Sequence, residues 1–146
     1  HWEDISTSTA SFAYDGLTTD STASAIDGVN LVTFIDQQFP FGPGVLAVVA
    51  KTIKIGENSE NAEIIDTDII FNPAITTSYK YNYSTDGGGK NSYDIESIAT
   101  HEVGHVLGLI HSGVKKATMF FVLQPRDEAR SLETDDIAWA SYRHTL

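Results

Sequence analysis

The sequence contains no cysteine among its 146 residues. Disulfides therefore contribute nothing to stability, and the redox compartment cannot be inferred from thiols. The absence excludes a cysteine nucleophile, and it excludes a thiolate from this chain as the fourth ligand that would close a zinc site. Long apolar runs are also missing: none approaches the roughly eighteen residues of a membrane-spanning helix, so no membrane span is expected.

Basic residues are scarce, since nine Lys and Arg stand against twenty Asp and Glu, for a formal net charge of −11. Nucleic acid is not expected as a partner, because binding it requires a basic face. We interpret the acidity as a contribution to solubility, with a preference for basic substrates as the alternative. The length and the 41% hydrophobic content favour a single domain over residues 1–146, long enough to bury a core, and we expect a monomer.

Histidine is rare too, yet three of the five histidines fall within residues 101–111, HEVGHVLGLIH. Residues four apart on a helix face the same way, so His101 and His105 present two imidazoles from one face. Gly108 can adopt a conformation that ends the helix and turns the chain, which brings His111 round as a third ligand. Three imidazoles with one open position are typical of a catalytic zinc.

Glu102 lies about a hundred degrees round the helix from His101, beside the metal position and not in it. Zinc lowers the pKa of its bound water, and Glu102 is the predicted general base. The alternative interpretation is a group of solvated histidines at a helix end. HExxHxxGxxH fixes five positions and is far more specific than HExxH alone, so we favour the zinc site. His1 and His144 are too few for a second histidine-rich site.

Short β-branched or alternating runs predict the strands. They are residues 11–14, 31–36, 45–55, 63–71 and 76–83. The polar run 56–61 makes an antiparallel hairpin of the two strands that flank it. Residues 76–83 are expected at a sheet edge, and Pro and Gly within residues 39–44 predict a turn.

Helical patterns begin at Asp94, the predicted N-cap. One apolar face follows, opposite the histidines, and consists of Ile95, Ile98, Ala99, Val103 and Val106. This helix is expected to end near Gly108, and residues 112–124 are expected to be irregular. A last helix is predicted from about residue 134 to 142, with Asp135 and Asp136 near its positive N-terminal end.

The run HEVGHVLGLIHS resembles the zinc-binding motif of the metzincin metallopeptidases. Ser112, directly after the third histidine, resembles the matrixins within that group. Met119 lies eight residues after His111, where a matrixin carries the methionine of its Met-turn. That side chain is an apolar floor beneath the metal, a role that a soft thioether suits. Residues 27–36, 43–52 and 66–72 are similar to strand segments of bacterial matrixin-like proteins. Residues 93–105 resemble the start of their active-site helix, and residues 132–142 resemble the matrixin C-terminal helix, so the resemblance extends over most of the chain.

The resemblance implies an α+β, zincin-like fold with a twisted, mostly parallel or mixed sheet of about five strands, an active-site helix and a C-terminal helix. Residues 2–8 resemble only the end of a matrixin N-terminal helix, so that helix is expected to be truncated. The resemblance also implies an extracellular protein. Phe121, Val122 and Leu123 stand where a matrixin lines its specificity pocket, and they are the expected pocket residues.

The predicted function is a zinc-dependent endopeptidase that binds an extended polypeptide along an edge strand, for which residues 76–83 are the candidate. One alternative is a catalytically weak, secreted zinc-containing binding or adhesion module on the same fold. Another is a zinc hydrolase that acts on a non-peptide amide. The intact Glu102 favours the endopeptidase over the binding module, because nothing structural requires that residue.

Calcium is a further possible cofactor, since Asp86, or Asp66 with Asp68, offers oxygen ligands. Solvated acids are the simpler interpretation, because no regular calcium-binding loop is present. Asp135 and Asp136 likewise have two interpretations. They could bind a freed N-terminal amine, as in some matrixins, or they could be acids that the helix dipole favours.

Overall fold

The computed structural model describes residues 1–20, 22–23, 26–34, 39–42, 44–56, 62–78 and 80–144. The chain divides into two compact units. The first unit comprises His1–Gly16 and Lys80–Leu146, and the second unit comprises Leu17–Tyr79. Helices and strands both occur, in agreement with the α+β class. Within the described residues, every helix is too short or too polar to serve as a membrane span. The assignment of one domain stays a prediction.

The second unit contains a three-stranded mixed sheet. Its strands are β1 (Val32–Thr33), β2 (Ala47–Ile55) and β3 (Ala62–Phe71), in the order β1-β3-β2. β1 pairs with β3 in parallel, and β2 pairs with β3 antiparallel. The expected hairpin is therefore confirmed, although residues 57–61 of its predicted turn lie outside the described residues. Of the strand expected at 31–36, residues 35 and 36 also lie outside them.

The strand β3 has an exposed first part and a buried last part. Its last six residues, which include those paired with β1, are buried, whereas its first four are exposed. The last three of these, Ile69, Ile70 and Phe71, are apolar, as expected of a strand that is buried on both faces. A register shift between Thr52 and Ile53 marks a β-bulge, beyond which the hairpin is exposed.

Two of the predicted strands are wrong. Residues 11–14 form no strand; the backbone N–H of Phe12 donates to a Glu3 side chain instead, at 2.7 Å. Residues 76–83 are not one strand, because a short helix, α1, occupies Ala74–Thr77. Local capping explains the helix: the Asn72 side chain accepts from the N–H of Ala74 at 2.9 Å, and Pro lies between them with a φ suited to a helix start.

The first unit contains a two-stranded parallel sheet, formed by β4 (Asn82–Ser84) and β5 (Ser92–Asp94). The helix α2 (Ile95–Val106) follows β5 directly, and α3 (Thr134–His144) lies near the C-terminus. A buried apolar cluster joins the N-terminal segment to residues after α2; it comprises Trp2, Ile5, Leu109, Met119 and Ala140. The described residues thus hold five strands in two sheets, of three and two strands, where the sequence analysis expected one sheet.

Candidate metal centre

The start of α2 is fixed by Asp94, whose side chain is fully buried. Its carboxylate accepts from the Ser97 N–H at 3.0 Å, which confirms the predicted N-cap, and from the Ser97 hydroxyl at 2.6 Å. Arg130 donates to the same carboxylate through Nε at 2.8 Å and Nη2 at 2.7 Å. The hydrogen bonds from Arg130 are the main reason that the pKa of Asp94 is lowered. The helix therefore begins at Asp94, a residue that is held in place by Arg130 as well as by Ser97.

The end of α2 is set by Gly108, with φ at +87°. The N–H of Gly108 donates to the His105 carbonyl at 3.0 Å, and the N–H of Leu109 donates to the Gly104 carbonyl at 3.0 Å. This pair of bonds is the Schellman arrangement, in which a left-handed residue closes a helix. Glycine adopts that conformation without the steric penalty of a Cβ. The predicted helix end is confirmed, and the chain turns there towards His111.

The turn brings three imidazoles together. Ligand atoms of His101, His105 and His111 all lie within 4.8 Å of one another. The Nε2 atoms of His105 and His111 are 3.2 Å apart. Among the described residues, this is the one group of three or more His, Asp and Glu side chains that could hold a metal ion together.

Backbone carbonyls select the tautomer of two of these histidines. Nδ1 of His101 lies 2.7 Å from the Thr118 carbonyl, and Nδ1 of His105 lies 2.8 Å from the Leu109 carbonyl. A carbonyl can only accept, so each Nδ1 must carry the proton, which leaves each Nε2 unprotonated. Burial lowers the pKa of His101 to about 4, so this ring is neutral near pH 7. A histidine whose Nε2 is unprotonated can bind a zinc ion through that atom.

Glu102 is buried, with 6% of its surface exposed. Burial raises the pKa of its carboxyl from the ordinary 4.5 to about 7, since removal from water disfavours the charged form. A carboxyl group with a pKa near the working pH is well suited to both accept and return a proton. It adjoins His101 in α2.

Met119 is buried at 1% exposure and packs against α2 at Gly104. A Cβ at Gly104 would overlap the Met119 sulfur and would lie 2.9 Å from Cζ2 of Trp2. Trp2 also donates its indole N–H to the Thr100 carbonyl at 2.8 Å. Glycine at this position therefore lets the methionine approach the helix that carries His101. That Met119 forms a floor beneath the metal, as the matrixin resemblance implied, stays a prediction.

Asp136 was missed as a site residue. It is buried, and its Oδ2 accepts from the N–H groups of Thr118 at 2.8 Å and Glu133 at 2.9 Å, while Oδ1 accepts from the Met119 N–H at 3.0 Å. Asp135 accepts from the Ser112 hydroxyl. The available signal was an acidic residue three positions after Glu133, the residue directly before the helix, as in a capping box. That signal explains the bond to Glu133, but it gives no indication of the bonds to the Met-turn.

The expected pocket residues follow the Met-turn in an irregular segment, as predicted for residues 112–124. Phe121 is 61% exposed and Val122 is exposed, whereas Leu123 is half-buried. Their part in substrate binding stays a prediction.

Asp68 accepts from the Leu31 N–H at 3.0 Å, and Asp86 accepts from the Ser84 hydroxyl. These contacts leave calcium binding as an untested alternative.

Comparisons with known proteins agree with this geometry. A family model described as Matrixin matches residues 32–142. Metalloendoproteinase 4-MMP of Arabidopsis thaliana is 54% identical over 44 residues, which are 30% of this chain and 13% of that protein. Metalloendoproteinase 1-MMP of the same plant is 46% identical over 52 residues, 36% of this chain and 14% of that protein. Metalloendoproteinase 1 of Glycine max is 45% identical over 47 residues, which are 32% of this chain and 15% of that protein. The matches thus span a small part of these relatives.

Proposed function

The chain belongs to the matrixin family, and from this premise we propose that it is a zinc-dependent endopeptidase that hydrolyses peptide bonds. One observation carries the proposal: three histidines converge, and Glu102, which follows the first of them in α2, is buried. The names of the similar plant proteins, which are metalloendoproteinases, support the same reaction class. The substrate proposed is therefore a polypeptide.

His101, His105 and His111 would hold the zinc ion through their Nε2 atoms. The carbonyls of Thr118 and Leu109 keep two of these rings in the tautomer that leaves Nε2 unprotonated. When bound, zinc supplies a Lewis acid that polarises a carbonyl and lowers the pKa of water.

Glu102 is the proposed general base. Its carboxylate accepts a proton from the attacking water, and the resulting carboxylic acid donates that proton to the amine as the peptide C–N bond breaks. The raised pKa of this residue supports both steps, because neither protonation state is strongly favoured near pH 7. One glutamate thus restores its own charge over a complete turnover.

Several finer features stay predictions. Residues 76–83 are not a single strand, so the proposal assigns no edge strand to the substrate. Phe121, Val122 and Leu123 stay the proposed pocket residues. An extracellular location, which the resemblance implies, is retained as a prediction, and so is the binding or adhesion module as the alternative function.

The proposal is tested with Glu102→Gln, measured for zinc content and for cleavage of a panel of proteins and peptides. We expect the variant to bind zinc with the stoichiometry of the unsubstituted protein and to lose cleavage by roughly 10²- to 10⁴-fold, the usual contribution of a general base. Glu96→Gln is the matched control, since it makes the same change at an exposed position of the same helix.

Full activity in Glu102→Gln would show that another group is the base. Stoichiometric zinc without cleavage of any substrate by the unsubstituted protein would favour the binding module instead.

A further inference from the structure

Thr118, directly before Met119, uses its N–H, its carbonyl and its hydroxyl in hydrogen bonds while only 3% exposed. Its N–H donates to Asp136, and its carbonyl accepts from Nδ1 of His101. Its hydroxyl lies within hydrogen-bond distance of two carbonyls, those of Ala129 at 3.1 Å and Ser131 at 3.0 Å. One threonine therefore joins a proposed zinc ligand to two other segments of the first unit.

The peptide group that follows Thr118 is held from both of its polar atoms. Its carbonyl oxygen faces His101, and its N–H, which belongs to Met119, donates to Oδ1 of Asp136 at 3.0 Å. Rotation of this peptide plane would turn the carbonyl away from the imidazole. Bonds that resist the rotation therefore keep His101 in the tautomer and the orientation that a metal requires.

The hydroxyl of Thr118 closes a ring of contacts that returns to α2. Ala129, whose carbonyl it contacts, donates its N–H to the Ser97 hydroxyl at 2.7 Å. Ser97 in turn donates to Asp94, which also binds Arg130. The helix that carries His101 is thus tied at its first turn to the same segment that the Thr118 hydroxyl contacts. Removal of that hydroxyl would open the ring at one point.

We propose that Thr118 is a positioning residue for the metal site, whose hydroxyl holds the carbonyl that orients His101. The inference rests on the proposed zinc site and extends it to a side chain outside the HExxHxxGxxH motif. A purely structural hydroxyl would stabilise the loop without any effect on the histidine. The two roles differ in whether zinc affinity and the His101 tautomer change with the hydroxyl.

The test uses Thr118→Val, which keeps the shape and removes the hydroxyl, and Thr118→Ser, which keeps the hydroxyl. Zinc affinity is measured by competition with a chelator, and the His101 tautomer by nitrogen NMR of the metal-free protein. We expect Thr118→Val to weaken zinc binding by roughly 10- to 100-fold, as for other groups that orient metal ligands, and to reduce the Nδ1-protonated fraction of His101. Thr118→Ser should restore both quantities.

Thr67→Val is the matched control, because it removes another buried threonine hydroxyl, which donates to Asn30 at 2.9 Å. It should leave zinc affinity unchanged. Unchanged affinity and an unchanged tautomer in Thr118→Val would overturn the proposal. A His101 protonated on Nε2 in the metal-free unsubstituted protein would also contradict it, whether or not that variant folds. Failure of the unsubstituted protein to bind zinc would refute the proposed function, whereas the NMR comparison would still test Thr118.

Discussion

The β2–β3 hairpin of the second unit and the metal centre of the first are held by different interactions. The hairpin relies on backbone pairing between two neighbouring runs, and its far end exposes Ile53, Ile55 and Ile64. The metal centre relies on side chains that bond to backbone far away in sequence. Asp136 reaches residues 17 and 18 positions back, and Ser97 contacts a residue 32 positions ahead.

This difference bears on how each region responds to substitution. A ladder of backbone hydrogen bonds survives the loss of one exposed side chain, because that loss removes none of the backbone bonds. A buried carboxylate that satisfies several N–H groups has no such redundancy, since its loss leaves all of those donors unpaired. Single substitutions should therefore affect the metal centre much more than the exposed part of the hairpin.

Asp136→Ala should have the largest effect on stability. It leaves the N–H groups of Thr118, Met119 and Glu133 without their acceptor, and we expect a loss of about 3–5 kcal/mol in the free energy of unfolding. The measurement is urea unfolding of the metal-free protein. Asp135→Ala, which removes a single side-chain bond to Ser112, is the control and should lose about 1 kcal/mol. Equal losses would contradict the account of the Met-turn.

Glu102 should make the metal-free protein less stable at alkaline pH. Its pKa is raised from 4.5 to about 7 on folding, so folding favours the protonated form. The resulting contribution is fully present below pH 4.5 and is lost as the pH rises through about 7. Glu102→Gln should therefore gain about 2–3 kcal/mol over the unsubstituted protein at pH 8.5, and much less at pH 5. Urea unfolding of both proteins at both pH values measures this difference in the free energy of unfolding. A difference that does not change with pH would contradict the raised pKa of the buried Glu102.

Ile55→Thr in the hairpin should have the smallest effect. The residue is 71% exposed, and threonine keeps the β-branched shape that strands favour. We expect the free energy of unfolding to change by about 0.5 kcal/mol or less, with zinc affinity unaltered. A loss as large as that of Asp136→Ala would break the contrast between the two regions.

The same contrast explains which features were accessible from the sequence. Asp94 as the N-cap and Gly108 as the helix end depend on residues within one or two turns, and both were predicted correctly. The hairpin depends on two adjacent runs, and it was predicted for the same reason. Local rules also misled: the alternation in residues 76–83 suggested a strand, but the Asn72 side chain caps a helical turn at Ala74–Thr77.

Hydrogen bonds between residues that are distant in the sequence could not be predicted. Nothing near Thr118 or Asp136 in the sequence indicates that one orients His101 or that the other holds the Met-turn. Such contacts arise only when residues 17 or more positions apart fold together. No local pattern indicates that the five strands divide into sheets of three and two. The ligands of the proposed site were thus predictable, whereas most of the bonds that position them were not.

The central claim is that His101, His105 and His111 bind one zinc ion beside Glu102. It is tested most directly by anomalous diffraction at the zinc absorption edge, from crystals of the protein with one equivalent of zinc. The account predicts a single peak about 2.0–2.1 Å from the Nε2 atom of each histidine. A peak on other residues, or protein that holds no zinc at that stoichiometry, would contradict it.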